Sequence, residues 1–229
     1  MDFLKNEIFL IAITFGVYQA SKFAQKKTGW ILLNPILLTI TILILFLKAT
    51  SIDFQTYNEG GKYIDFWLKP AVVALGVPLY LQLEAIKKQA IPILLSQLAG
   101  CIVGILSVVF VAKLFGATKE VILSLASKSV TTPIAMEITK TVGGIPSLTS
   151  AVVVCAGLLG AILGFKILNL GKIKSPIAQG LSLGTASHAV GTSAALEKGT
   201  RYGAYSSLGL TLNGILTAIL TPYILEIIL

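Results

Sequence analysis

Ile91-Pro92-Ile93-Leu94-Leu95-Ser96-Gln97-Leu98-Ala99-Gly100-Cys101-Ile102-Val103-Gly104-Ile105-Leu106-Ser107-Val108-Val109-Phe110-Val111-Ala112-Lys113-Leu114-Phe115 carries a single charge, Lys113, near its end. A helix rises about 1.5 Å per residue, so about 20 apolar residues cross the hydrocarbon of a bilayer. This run is long enough to span. Working outward, similar runs read at about Ile8–Phe23, Leu32–Leu47, Ile64–Leu83, Glu120–Thr139, Leu148–Leu168, Ile177–Glu197 and Tyr205–Leu229. The fold class expected is therefore all-α: a polytopic integral membrane protein with about 7–8 transmembrane segments, several of them broken. Together they form a single transmembrane domain, 1–229. The polar stretch Lys48 to Lys62, with Asp53, Glu59 and the pair Gly60-Gly61, reads as the one sizeable loop.

Composition agrees. The 229 residues are 55% hydrophobic and 12% charged, with a mean hydropathy of +0.87, whereas soluble domains carry about 25% charged residues. So little charge cannot cover a soluble surface, which argues against a soluble enzyme or a disordered tail. The net charge of +8 is spread in small groups between apolar runs, among them Lys22, Lys26 and Lys27 and also Lys87 and Lys88. Loops flanking membrane spans look like this, whereas nucleic-acid binding needs a clustered basic face. No nucleic acid is expected as a partner; the lipid bilayer is. The basic loop after the first run places that loop in the cytoplasm and the N-terminus outside. Tyr18-Gln19-Ala20 lacks the small residue of a signal cleavage site, so an uncleaved first helix is expected. Cys101 and Cys155 lie in apolar runs without metal-ligand spacing and read as buried, reduced and structural. No metal or other cofactor is expected.

Three segments make poor membrane helices. Trp67 to Leu79 holds Lys69, Pro70, Gly76 and Pro78. Ser127-Lys128-Ser129-Val130-Thr131-Thr132-Pro133-Ile134-Ala135-Met136-Glu137 places a hydroxyl cap and a proline in mid-run, the signature of a helix start, so two half-helices should meet near Thr131. Gly180 to Ala194 holds the lone histidine, His188, among small residues, and Gly191-Thr192 is read as ending one short helix and capping the next. Broken backbone survives at membrane depth only inside protein or beside a water-filled cavity. There, helix N-termini and freed N–H groups favour anions. Close packing of small residues is the competing structural reading of each segment.

Ionisable residues inside membrane segments are by default functional candidates. Lys128 is the candidate partner of an anionic substrate, with Ser129, Thr131, Thr132 and Pro133 beside it. Ser187, His188, Gly191, Thr192 and Pro78 complete the substrate-binding set. His188, of a residue type that titrates near physiological pH, and Glu137 are the candidates for proton coupling. Glu197, Lys198 and Arg201 read as a solvated loop. Metalloprotease, serine-hydrolase and P-loop motifs are absent from the sequence, Asp2 and Asp53 fall outside the apolar runs and Asp65 at the very start of one, so no intramembrane aspartyl pair has candidates and no enzymatic activity is expected.

Lys128-Ser129-Val130-Thr131-Thr132-Pro133-Ile134-Ala135-Met136, Gly143-Gly144-Ile145-Pro146-Ser147-Leu148-Thr149 and Gly184-Thr185-Ala186-Ser187-His188-Ala189-Val190-Gly191-Thr192 resemble the LrgB/CidB family. Asn34-Pro35 and Ala74-Leu75-Gly76-Val77-Pro78-Leu79-Tyr80 fit it too. The resemblance covers essentially the whole chain. It implies a multi-pass protein of the bacterial inner (cell) membrane, working beside a small holin-like partner of the LrgA/CidA type. Family members are described as antiholin-like modulators of murein hydrolase activity and lysis. Others are linked to pyruvate uptake, and the plastid glycolate/glycerate translocator is related. Two functional readings follow. In the first, the protein is a transporter of a small carboxylate anion of the glycolate, glycerate or pyruvate kind, coupled to protons. In the second, it is an antiholin-like regulator of autolysis acting through its partner. A symmetric homodimer is the prior for oligomeric state.

Overall fold

The computed structural model describes residues 2–28, 33–67, 70, 73, 74 and 76–229, with the side chains of 2, 3, 78 and 79 also outside the description. Among the described residues it is wholly helical. The chain packs as two compact units, Met1–Ala74 and Leu75–Leu229.

In the first unit, α1 (Glu7–Thr28) packs against α2 (Pro35–Thr50) and α3 (Phe54–Phe66). Asn34 caps α2, its side-chain oxygen accepting from the N–H groups of Ile36 at 3.0 Å and Leu37 at 3.2 Å, and Pro35 starts the helix where its missing donor is harmless. The polar stretch expected to be a loop is largely the helix α3. Asp53 starts it by accepting from the Thr56 N–H at 2.7 Å, and that hydrogen bonding holds the Asp53 carboxyl below its ordinary range. The support this cap gives α3 is therefore present above the ordinary carboxylate pKa and fades as pH falls through the lowered native value. Gly60 is not a flexible point either. It is buried, and a β carbon there would lie 2.9 Å from the Glu7 carbonyl oxygen.

In the second unit, two short helices, α4 (Gly76–Leu81) and α5 (Leu83–Lys87), lead into α6 (Ala90–Leu114). Next come α7 (Lys119–Leu125), α8 (Thr132–Val142), α9 (Pro146–Leu170), α10 (Pro176–Lys198) and α11 (Thr200–Ile228). Among the described residues three helices, α6, α9 and α11, are long and apolar enough to cross a membrane, and α2 is a shorter apolar helix. The expected run Glu120–Thr139 is not one span but α7 and α8 on either side of a turn. α10 has the length of a span but is diluted by glycine, serine and threonine.

Helices α10 and α11 form the most closely packed pair, because glycines let their backbones approach. A β carbon at Gly184 would fall on the Ser206 carbonyl oxygen, and one at Gly209 would lie 2.7 Å from the Leu181 carbonyl oxygen. At the helix ends, Lys198 is held rather than freely solvated. Its Nζ donates to Gln179 Oε1 at 3.1 Å and lies 3.8 Å from the Phe165 ring centroid, a favourable cation–π placement. Cys101 is buried, but Cys155 is exposed on α9, contrary to the reading of both as buried; an apolar run does not tell which face of its helix meets lipid.

Gly184→Ala should separate α10 from α11 and lower the melting temperature of the purified protein. Gly16→Ala, where nothing lies within 4 Å, should be neutral or stabilising by up to about 1 kcal/mol, since alanine is the better helix former. Equal melting temperatures for the two variants would contradict the packing described.

Candidate functional site

The turn between α7 and α8 is made from residues that satisfy its backbone locally. Lys128 N–H donates to the Leu125 carbonyl at 3.1 Å and Val130 N–H to the Ser127 carbonyl at 3.4 Å. Thr131 takes the N-cap conformation (φ −64°, ψ 148°), with Thr132 and Pro133 in the first turn of α8. The break lies where the sequence places it, but the Thr131 hydroxyl makes no capping bond. A buried set of hydroxyls holds the turn from behind. Ser127 Oγ donates to the Ala135 carbonyl at 3.2 Å, and Thr139 and Thr149 hydroxyls meet at 2.8 Å. Thr149 Oγ1 also lies 2.9 Å from the Ser124 carbonyl, and Ser124 Oγ accepts from the Ile145 N–H at 2.7 Å. Gly143 (φ 82°) ends α8 in a left-handed turn that suits glycine. Gly144 leaves room for Ser124, whose Oγ would be 2.9 Å from a β carbon.

With Ser127 and Val130 buried on one side, Lys128 and Ser129 line a cavity of about 550 Å³ on the other. α6 contributes Ser96, Gln97 and Cys101 to its wall, the first half of α10 contributes Ser182 and Thr185, and α11 contributes Asn213 and Thr217. A cavity of this size is typical of small-molecule sites. Among the described residues Lys128 is the one basic residue in the lining, and no acid lines it. Its Nζ donates to Ser129 Oγ at 3.1 Å, and no carboxylate lies within salt-bridge distance among the described residues. Among the described residues the site thus carries one uncompensated positive charge.

The polar groups opposite are tied together. Thr185 Oγ1 lies 2.6 Å from Gln97 Oε1, and Asn213 Nδ2 donates to the Thr185 carbonyl at 2.9 Å. Thr217 Oγ1 lies 3.4 Å from Asn213 Oδ1 and 3.3 Å from Cys101 Sγ. Sequence reasoning did not single out Gln97, Thr185, Asn213 or Thr217. The available signal was an amide side chain inside each of two apolar runs.

The second break falls elsewhere than expected. α10 kinks at Ser187 (φ −135°, ψ 17°) and His188 (φ 42°, ψ −138°), while Gly191 and Thr192 are helical within its second half. The reason is docking against α9. A β carbon at Gly157 would lie 2.6 Å from His188 Cε1, one at Gly160 would fall on the Ser187 hydroxyl, and His188 Nε2 meets the Val153 carbonyl at 2.9 Å. Because a carbonyl only accepts, Nε2 carries the proton. Thr192 Oγ1 donates to the His188 carbonyl at 2.9 Å and meets Ser206 Oγ at 2.9 Å. Gly191 lets the bent chain close up, with Leu183 O 2.9 Å from where its β carbon would be.

Of the residues expected at the site, the cavity brings together Lys128 and Ser129. Thr131, Thr132, Pro133, Ser187, His188, Gly191 and Thr192 do not line it. Glu137 is exposed on α8, 3.2 Å from Lys140 across one helical turn. Pro78 lies in α4 with its side chain outside the described residues, as is Lys69 altogether. No group of acidic, histidine or cysteine residues with metal-binding geometry occurs among the described residues.

A family model, the LrgB-like family, matches residues 14–227, nearly the whole chain. The chain belongs to the LrgB-like family. It is 35% identical over 218 residues to the holin-like protein CidB of Staphylococcus epidermidis, covering 95% of both chains. It is 36% identical over 221 residues to the antiholin-like protein LrgB of Bacillus cereus, covering 96% of this chain and 95% of that one. To YxaC of Bacillus subtilis it is 39% identical over 217 residues, or 95% and 94% of the two chains. No solved structure matches. For this LrgB-like chain the expected family is thus established, and its apolar helices and holin-like relatives mark it as a membrane protein.

Thr149→Val removes the hydroxyl that joins Thr139 to the Ser124 carbonyl. It should destabilise the α7–α8 turn by about 1–3 kcal/mol, the cost of leaving buried polar groups unpaired. Denaturation in detergent measures this; an unchanged midpoint would show that the hydroxyl set does not hold the turn.

Proposed function

We propose that the chain is an antiholin- or holin-like protein of the bacterial cell membrane, crossing it several times and modulating murein hydrolase activity and autolysis. What supports this reading is the similarity over 95% of the chain to proteins named holin-like CidB and, over 96%, antiholin-like LrgB. The partner is a small membrane protein of the LrgA/CidA type, and no catalytic step on a substrate is assigned to the chain. Producing it in a Bacillus strain that lacks its own LrgB homologue should restore the normal rate of autolysis. An autolysis rate that stays at the level of the deletion strain would overturn the proposal.

A second reading is favoured by one observation: among the described residues Lys128 has no carboxylate partner and the rest of the cavity lining is neutral. A single fixed positive charge among hydroxyls and amides suits a small monocarboxylate, so the protein carries an anion of the glycolate, glycerate or pyruvate class. Movement of that anion would itself alter the energetics of the membrane on which lysis depends, so the two readings are compatible. Proton coupling falls to His188, whose ring sits at the α10 kink, rather than to Glu137, which already has Lys140 beside it. Proteoliposomes holding the protein should take up labelled glycolate or pyruvate, and Lys128→Ala should reduce uptake at least tenfold, as loss of a charged hydrogen-bond partner would. Full uptake by Lys128→Ala would exclude Lys128 as the anion site.

A further inference from the structure

Gln97 stands out from the rest of the cavity wall. It is only 3% exposed, in the middle of an apolar helix. One end of its amide is fixed by the Thr185 hydroxyl at 2.6 Å. The other end makes no hydrogen bond to protein among the described residues, although Gln97 lines the cavity. Leaving such a group unpaired in a protein interior is costly unless a ligand or water meets it. Its anchorage is elaborate, since Thr185 is itself held through its carbonyl by Asn213. Three helices thus fix one amide so that a single polar end is left for the cavity.

Cys101, one turn beyond Gln97 on α6, belongs to the same buried cluster as Ala126, two residues before Lys128. Gln97 and Lys128 both line the one cavity, one offering an amide and the other a cation.

Resting on the carboxylate reading above, we propose that Gln97 is the specificity-determining residue of this cavity: Lys128 and Ser129 hold the carboxylate, and the free end of the Gln97 amide hydrogen-bonds the oxygen on the adjacent carbon. The site then favours a 2-hydroxy or 2-oxo monocarboxylate over the plain acid of the same length. A threonine hydroxyl can donate to the amide oxygen or accept from the amide nitrogen. With Gln97 Oε1 taken by the Thr185 hydroxyl, the amide N–H faces the cavity and can donate to a keto or a hydroxyl oxygen alike, so both oxidation levels are read. Asn213 and Thr185 act as positioning residues, without contact to the anion.

The test is calorimetric titration of the purified protein with glycolate against acetate and pyruvate against propionate, for wild type, Gln97→Met, Thr185→Val and Lys128→Ala. One hydrogen bond gives a preference of about tenfold for the oxygenated acid in wild type. Gln97→Met keeps the side-chain volume; it should bind all four acids with the affinity wild type shows for acetate and propionate. Thr185→Val should lose part of the preference, and Lys128→Ala should lose binding of all four. A preference that survives in Gln97→Met, or is absent from wild type while all four acids bind, overturns the role of Gln97 alone. No binding of any acid by wild type overturns the carboxylate reading beneath it. Melting curves of each variant confirm folding, and Gln97→Leu serves if Gln97→Met does not fold.

Discussion

A helix that is interrupted within a lipid-facing protein leaves N–H and C=O groups that hydrocarbon cannot satisfy, and each costs several kcal/mol if left bare. Both described interruptions in the second unit are organised around meeting that demand. At the α7–α8 turn the solution is a set of buried hydroxyls: Ser124, Ser127 and Thr149 take up backbone groups on the inner side, and Thr139 links Ser127 to Thr149. Only because that side is closed can Lys128 and Ser129 turn to the other, where the cavity lies. At the α10 kink the solution is steric as well as polar. Gly157 and Gly160 clear a trough in α9, and the His188 ring bonds to the Val153 carbonyl.

The cavity inherits its character from these arrangements. α10 runs straight as far as Ala186, so Ser182 and Thr185 face α6 and α11 across the space, and the kink carries the next half-turn away to α9. His188 and Thr192 are consequently parts of the α9–α10–α11 packing rather than of the cavity wall. His188, with φ 42°, is where α10 changes direction, and its contacts with α9 hold that strained angle. Lys128, by contrast, has no acidic neighbour among the described residues and shares the cavity with neutral polar groups. One charge with hydroxyls and amides around it is the arrangement expected for a small organic monoanion.

The sequence made membrane insertion, the long helices α6, α9 and α11, the α7–α8 break and the family legible, because these depend on composition, on proline placement and on local strings. Lys128 and Ser129 were also legible, as a lysine and its neighbour in an apolar run. Three things were not. The kink was expected at Gly191-Thr192 because glycine tolerates unusual backbone angles, yet it falls at His188, where tertiary contacts with α9 decide. The stretch after Lys48 read as a loop because Gly60-Gly61 and its charges suggest one, whereas Gly60 serves close packing against α1. Gln97 and Asn213 were invisible as site residues because their role arises from partners 88 and 28 positions away.

The central claim is that the α7–α8 break places the Lys128 charge in a cavity that small aqueous anions can enter. The most direct measurement places a single thiol there, Ser129→Cys in a protein with Cys101→Ala and Cys155→Ser, and compares its labelling in membrane vesicles by anionic and cationic methanethiosulfonates. The account predicts labelling by both reagents, faster with the anionic one, and loss of that difference when Lys128→Ala is added. A thiol that neither reagent reaches, or one labelled at equal rates by the two with Lys128 in place, would contradict it.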